Sequence, residues 1–278
     1  MIARLEFLRL RRSRRPLLAI GALLFFLGMM LLGFYTYAQT ETGGGASFRY
    51  TFENSSYFNG LTFSLYAFYF GCLLILPIFA ATEAGTQLAG DSASGRLRLM
   101  LTRPVSRSRI FLWKLCVMLS TSAFLVGCLL AFSLSLGLIF VGWGDLDLYP
   151  GVLQMSARHQ HLTQSQALLA FLLAWPAATI SLLAPLSFSV LIATWAKNGV
   201  NAVGISVSAY LVLYVLAEIH FFKELRPWLF TSSMSYWREL FREEVNWGEV
   251  FEQGARLLGF SCLFLALALR RFRTREEL

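Results

Sequence analysis

Residues 85–92, Gly-Thr-Gln-Leu-Ala-Gly-Asp-Ser, come within one residue of a phosphate-binding loop. The lysine that would contact phosphate is replaced by Asp91, whose charge repels it, and no strand precedes the loop. A second group, Met155, His159 and His161, could offer soft and imidazole donors to a metal such as copper. Histidines at i and i+2 share one side only on an extended backbone, and ordinary loop histidines are the competing reading. No His-Glu-x-x-His, nucleophile elbow or carboxylate pair within an apolar run is present, so an intramembrane enzyme has no support. Cys72, Cys116, Cys128 and Cys262 lie in apolar runs without CxxC spacing and read as small packing residues. Chemistry on this chain therefore reduces to recognition, and the segment best equipped for it is 89–114. It carries Arg96, Arg98, Arg103, Arg107, Arg109 and Lys114 against the single acid Asp91.

The elements that position this segment are set by composition. The chain is 56% hydrophobic and only 14% charged, against about a quarter charged in soluble domains. That much apolar surface cannot be hidden inside one soluble domain, so the chain reads as an all-α polytopic membrane protein. Apolar runs at about 16–38, 61–84, 110–143, 167–196, 199–219 and 250–269 give six spans. The last is the weakest, because reaching span length means including Glu252 and Arg256. Thr36-Tyr37-Ala38 could pass for a signal-peptidase site, but the apolar run before it is far longer than a signal h-region, so it is read as a span.

The net charge of +8 invites a nucleic-acid reading, yet the bases sit at the ends of apolar runs, where they report topology. Arg4 to Arg15, the 89–114 loop, Lys197 and Arg270 to Arg275 fall on one side, which the positive-inside rule makes cytoplasmic, with both termini. Residues 1–15 suit a short interfacial helix against anionic lipid. Residues 39–60 and 144–165 read as external loops. Residues 221–249, dense in aromatics such as Trp228, Tyr236 and Trp237, read as external helices lying in the interface and able to dip into it. Gly127-x-x-x-Ala131, Ser133-x-x-x-Gly137 and the Gly204/Ser208 pair offer small faces for helix contact. Pro176 and Pro185 predict kinks in the fourth span. Glu83, at the cytoplasmic end of the second span, is read as reaching water there.

Within the basic loop, Gly95-Arg-Leu-Arg-Leu-Met-Leu reads as a short helix ended by Pro104. Asp91-Ser-Ala-Ser-Gly95 through Leu101, then Pro104-Val-Ser-Arg107 and Lys114, resembles the cytoplasmic signature of ABC-2-type permeases. Arg98 is one departure, standing where that family usually has an acid. The resemblance implies the membrane subunit of a type V-like ABC exporter, with this segment as its coupling helix on a separate ATPase. It also implies a second permease chain, identical or a close paralogue, ATP and Mg on the ATPase, and no cofactor on this chain. Asp91, Gly95, Leu97, Leu99, Leu101, Pro104 and Arg107 become the expected coupling residues.

Two other readings stand beside it: a non-transporting membrane anchor that recruits a soluble complex through the same loop, and a copper-related permease using Met155, His159 and His161. An ATPase whose activity depends on this chain separates the first, and metal binding lost with those residues separates the second. The topology is directly testable. Cysteines placed near Gly44, Gln154 and Asn246 should react with an impermeant thiol reagent from outside cells, and one at Ser94 should not; labelling at Ser94 reverses the orientation.

Overall fold

A segment immersed in hydrocarbon must satisfy its backbone internally, and a helix does so within one chain segment. The computed structural model describes residues 15–42, 59–97, 106–149, 153 and 159–274. Among these, six helices are long and apolar enough to cross a bilayer. We label them α1 (Arg15–Thr42), α2 (Gly60–Ala93), α3 (Arg107–Phe140), α4 (Gln164–Trp195), α5 (Gly199–Glu218) and α6 (Trp247–Thr274). At 34 residues each, α2 and α3 run to roughly 50 Å, well beyond a ~30 Å hydrocarbon core. Their ends must therefore stand clear of it, whereas the 20-residue α5 just spans. The fold is nearly all helix. Among the described residues the exception is a two-stranded antiparallel ribbon, β1 (Leu146–Leu148) with β2 (Gln160–Leu162), inside the stretch expected as loop.

Helix starts follow from local capping. Asn59 accepts from the Thr62 amide at 2.9 Å, Asn198 from Asn201, and Thr163 with Gln166 forms a reciprocal capping box. Only Ala196, Lys197 and Asn198 separate α4 from α5, which makes those two helices neighbours. Pro176 and Pro185 both lie inside a helix that stays continuous through them.

The central helix is α2: 61% of its most apolar stretch is buried, against 11% for α1 and 17% for α6. It packs on α3, α4 and α5. Two wide π turns, Gly71–Ile75 and Gly85–Gly90, interrupt its α geometry. At the first, the Tyr210 hydroxyl of α5 donates to the Leu73 carbonyl at 2.5 Å. At the second, a Cβ on Gly85 would lie 2.9 Å from the Gly199 carbonyl, so the start of α5 rests directly on α2 backbone. Beyond them, α2 and α3 meet backbone to backbone. The Gly60 amide donates to Gly142 and the Ser64 hydroxyl to Ser133, and a Cβ on Gly60 would sit 2.5 Å from the Gly137 oxygen. The expected Gly137 contact is thus made with Gly60. Gly204 has nothing within 4 Å of a Cβ, so that small face of α5 is open.

The segment before α6 differs most from a set of interfacial helices. It forms short 3-10 turns, His220–Trp228, Phe230–Ser233 and Tyr236–Phe241. The first is exposed, with Trp228 78% accessible, but the other two are inserted into the bundle. Tyr236 and Trp237, expected at headgroup level, are buried: Trp237 meets Phe68 and Phe241 edge-on, and Tyr236 donates to the Ala177 carbonyl of α4. Irregular backbone at such depth is tolerated where protein surrounds it. Of the four cysteines, all free, Cys72 is buried while Cys116 and Cys262 are exposed.

The α2–α3 contact gives a clean comparison. Gly60→Ala should lower the thermal midpoint in detergent by several degrees, as expected for a clash of about 1–3 kcal/mol. Gly204→Ala should not lower it, since that position meets open space.

Candidate functional site

At the basic end of the bundle, α2 closes with Asp91-Ser-Ala and the chain reverses through Gly95, whose φ of +71° is a left-handed conformation that disfavours side chains. Helical backbone resumes at Arg96 and Leu97, and α3 begins at Arg107 behind Ser106. Across this reversal the Lys114 ammonium meets the Asp91 carboxylate at 2.6 Å, with Asp91 1% and Lys114 0% accessible. Arg96, largely exposed, approaches the other Asp91 oxygen at 3.6 Å. Removing two charges from water costs several kcal/mol each, and the loss is offset only by close geometry and further hydrogen bonds. The pair therefore fixes α2 to α3 strongly.

Two more contacts hold the same region. The Arg107 guanidinium donates to the Arg273 carbonyl at 3.4 Å, Arg273 Nε to the Ser108 hydroxyl at 2.7 Å, and Phe111 packs on Phe272. The far end of α6 thus grips the start of α3. One and two turns before Asp91, Gln87 donates to the Glu83 carboxylate at 2.6 Å, and both are buried. Glu83 was expected to reach water; it faces the bundle, because the wide π turn Gly85–Gly90 brings Glu83, Gln87 and Asp91 to the packed side of α2. Gln87 Oε1 is left without a donor among the described residues.

The expected coupling residues divide accordingly. Asp91 is turned inward onto Lys114, Gly95 makes the reversal, and Arg107 opens α3. Leu97, expected as a coupling residue, is packed in the core of the bundle at 1% accessibility. Leu99, Leu101 and Pro104 lie outside the described residues. Lys114 was visible in the signature, but its burial against Asp91 follows from the fold of α2 onto α3 and not from spacing.

At the opposite end, the register of the ribbon sets Asp147 across from His161. His161 Nδ1 lies 2.7 Å from Asp147 Oδ1, and its amide donates to Glu243. The carboxylate raises the His161 pKa above the ordinary imidazole value. His159 stands 3.8 Å from the same Asp147 oxygen and against the Tyr149 ring. Met155 lies outside the described residues, and among those described no three His, Cys, Asp or Glu side chains are arranged to hold a metal ion. His161 is thus built into the ribbon, with His159 beside it.

Compared with known families, residues 1–225 match the one described as ABC-2 family transporter protein. The chain belongs to the ABC-2 transporter family. No curated protein matches it significantly. With six helices able to span, this ABC-2 protein is an integral membrane protein and the permease component of an ABC transporter, a transport part and not a catalytic one.

The buried pair makes a sharp prediction for this permease. Asp91→Ala or Lys114→Ala alone strands a charge in the bundle and should destabilise by about 3–5 kcal/mol, read as lost monodisperse protein. The double variant Asp91→Leu with Lys114→Met should recover much of that stability. Equal damage in singles and double would mean that the charge pairing is not what matters.

Proposed function

We propose that this permease is the membrane half of an ATP-driven exporter of the bacterial cytoplasmic membrane, working as a pair of chains with separate ATPases docked on the 91–107 segment. ATP and Mg belong to those ATPases, and this chain binds neither. Both termini and the docking segment face the cytoplasm. Supporting the reading is the anchorage of that segment: α2, α3 and α6 converge on it through Asp91–Lys114 and Arg107–Arg273. A push on 91–107 cannot be absorbed locally, because its two ends are tied to each other. It is passed to α2, and from α2 through the Gly85–Gly199 contact to α5. Membrane helices with small or open faces, such as α5 at Gly204, suit a second permease chain.

Coupling is tested at the reversal. Gly95→Trp should leave the permease inserted but abolish substrate-dependent ATP hydrolysis by the partner, as should Leu99→Asp. One buried misfit at an interface costs several kcal/mol. Gly95→Asn, which tolerates the left-handed backbone, should retain hydrolysis, and Arg107→Gln should reduce it mildly. Normal transport by both severe variants would remove this segment from the coupling role. One permease chain per active complex would defeat the paired arrangement.

A further inference from the structure

The His220–Trp228 turn and the start of α6 flank an open cleft of about 560 Å³ at the hairpin end of the bundle. Its size falls within the ~300–1,000 Å³ usual for small-molecule sites. Its lining is polar and carries both signs of charge: Lys223 and Arg226 on one wall, Glu249, Glu252 and Arg256 on the other.

Most of these charges are already committed. Arg256 pairs with Glu252 at 3.0 Å. Arg226 caps the end of α5, donating from Nε to Ala217 and from Nη2 to Glu218, which leaves further guanidinium donors unused. Lys223 makes no hydrogen bond or ion pair among the described residues. Glu249 has its nearest cation, Arg242, at 3.9 Å, and accepts from Gln253. An unpaired ammonium and a weakly paired carboxylate therefore face one cavity without meeting each other. Ser233 lines the same space and is only 2% accessible. A ligand bearing both an anion and a cation would satisfy both charges.

The surroundings of the cleft say what the rest of that ligand is. Leu225 and Trp228, on the same turn as Lys223 and Arg226, are large apolar side chains left exposed, Trp228 by 78%. Aromatic side chains beside charged groups mark the headgroup level of a bilayer. We propose that this cavity binds the headgroup of an amino-phospholipid, with phosphate at Lys223, Arg226 and Ser233, ammonium at Glu249, and acyl chains along the exposed Leu225 and Trp228. The site stands apart from the 91–107 segment and does not depend on ATPase coupling.

Native mass spectrometry of the full detergent-solubilised chain can test it with dihexanoyl phosphatidylethanolamine, dihexanoyl phosphatidylglycerol, glycerophosphoethanolamine and inorganic phosphate. The ethanolamine lipid should bind about tenfold or more tightly than the glycerol lipid, which lacks the ammonium. Lys223→Ala should weaken the ethanolamine lipid by about tenfold at an unchanged thermal midpoint, since this exposed side chain has no described partner. Glu249→Gln should erase the preference between the two lipids. Equal binding of both lipids by the unaltered chain, or insensitivity to both substitutions, overturns the proposal. So does glycerophosphoethanolamine binding as tightly as its lipid, which would indicate a soluble zwitterion site. Inorganic phosphate binding as tightly as the lipid would reduce the cavity to an anion site and overturn it too.

Discussion

A lysine and an aspartate sealed from water at 2.6 Å dictate how the basic end of this permease is built. Neither side chain tolerates burial alone, so α2 and α3 can separate there only by stranding a charge. The stretch between them is short and its reversal sits on a left-handed glycine, Gly95. Such a pair contributes little net stability compared with apolar packing of equal volume, but it permits one alignment of the helices it joins. For a segment read as a lever, fixed alignment matters more than net stability, because slack at its base would absorb the stroke.

The same reasoning explains why α2 is central yet irregular. A straight α-helix would turn its side chains by a constant 100° per residue. Each π turn inserts an extra residue and resets the face presented to neighbours. Gly71 and Gly85 open the two wide turns, and at each a Cβ would collide with α3 or α5. The carbonyl of Leu73 is claimed by Tyr210, so the irregular backbone still has a partner. The second wide turn lies immediately before Asp91, and the start of α5 leans on it. Span 2 is therefore where the basic end and α5 communicate.

Spans and family were legible in the sequence because length, apolarity and a short motif are local properties. The signature even contained both members of the buried pair. What stayed hidden was direction. Asp91, Leu97 and Glu83 were read as facing a partner or water, and all three face the bundle. A loop residue's facing depends on the helix packed behind it, here α3, and nothing in residues 91–97 encodes that neighbour. Tyr236 and Trp237 were misplaced for the same reason: their amphipathic character suits a headgroup, and an equally good environment existed between Phe68 and Ala177. The ribbon escaped notice because its strands are three residues each and its histidine–aspartate pair closes across 14 residues.

The inserted 3-10 turns complete the physical argument. Short 3-10 turns hold few internal hydrogen bonds, so Phe230 to Phe241 keep their place through side chains. Arg238 donates to the carbonyls of Leu153 and Ser235 and lies 5.6 Å over the Tyr69 ring, while Thr231 donates to Leu213 of α5. Trp237, wholly buried, finds no acceptor for its indole N–H among the described residues, a cost that a rigid and final packing would avoid. The two ends of the bundle thus use opposite designs. At the basic end a buried charge pair fixes one geometry, whereas at the hairpin end aromatic edges and single hydrogen bonds hold the inserted turns in place.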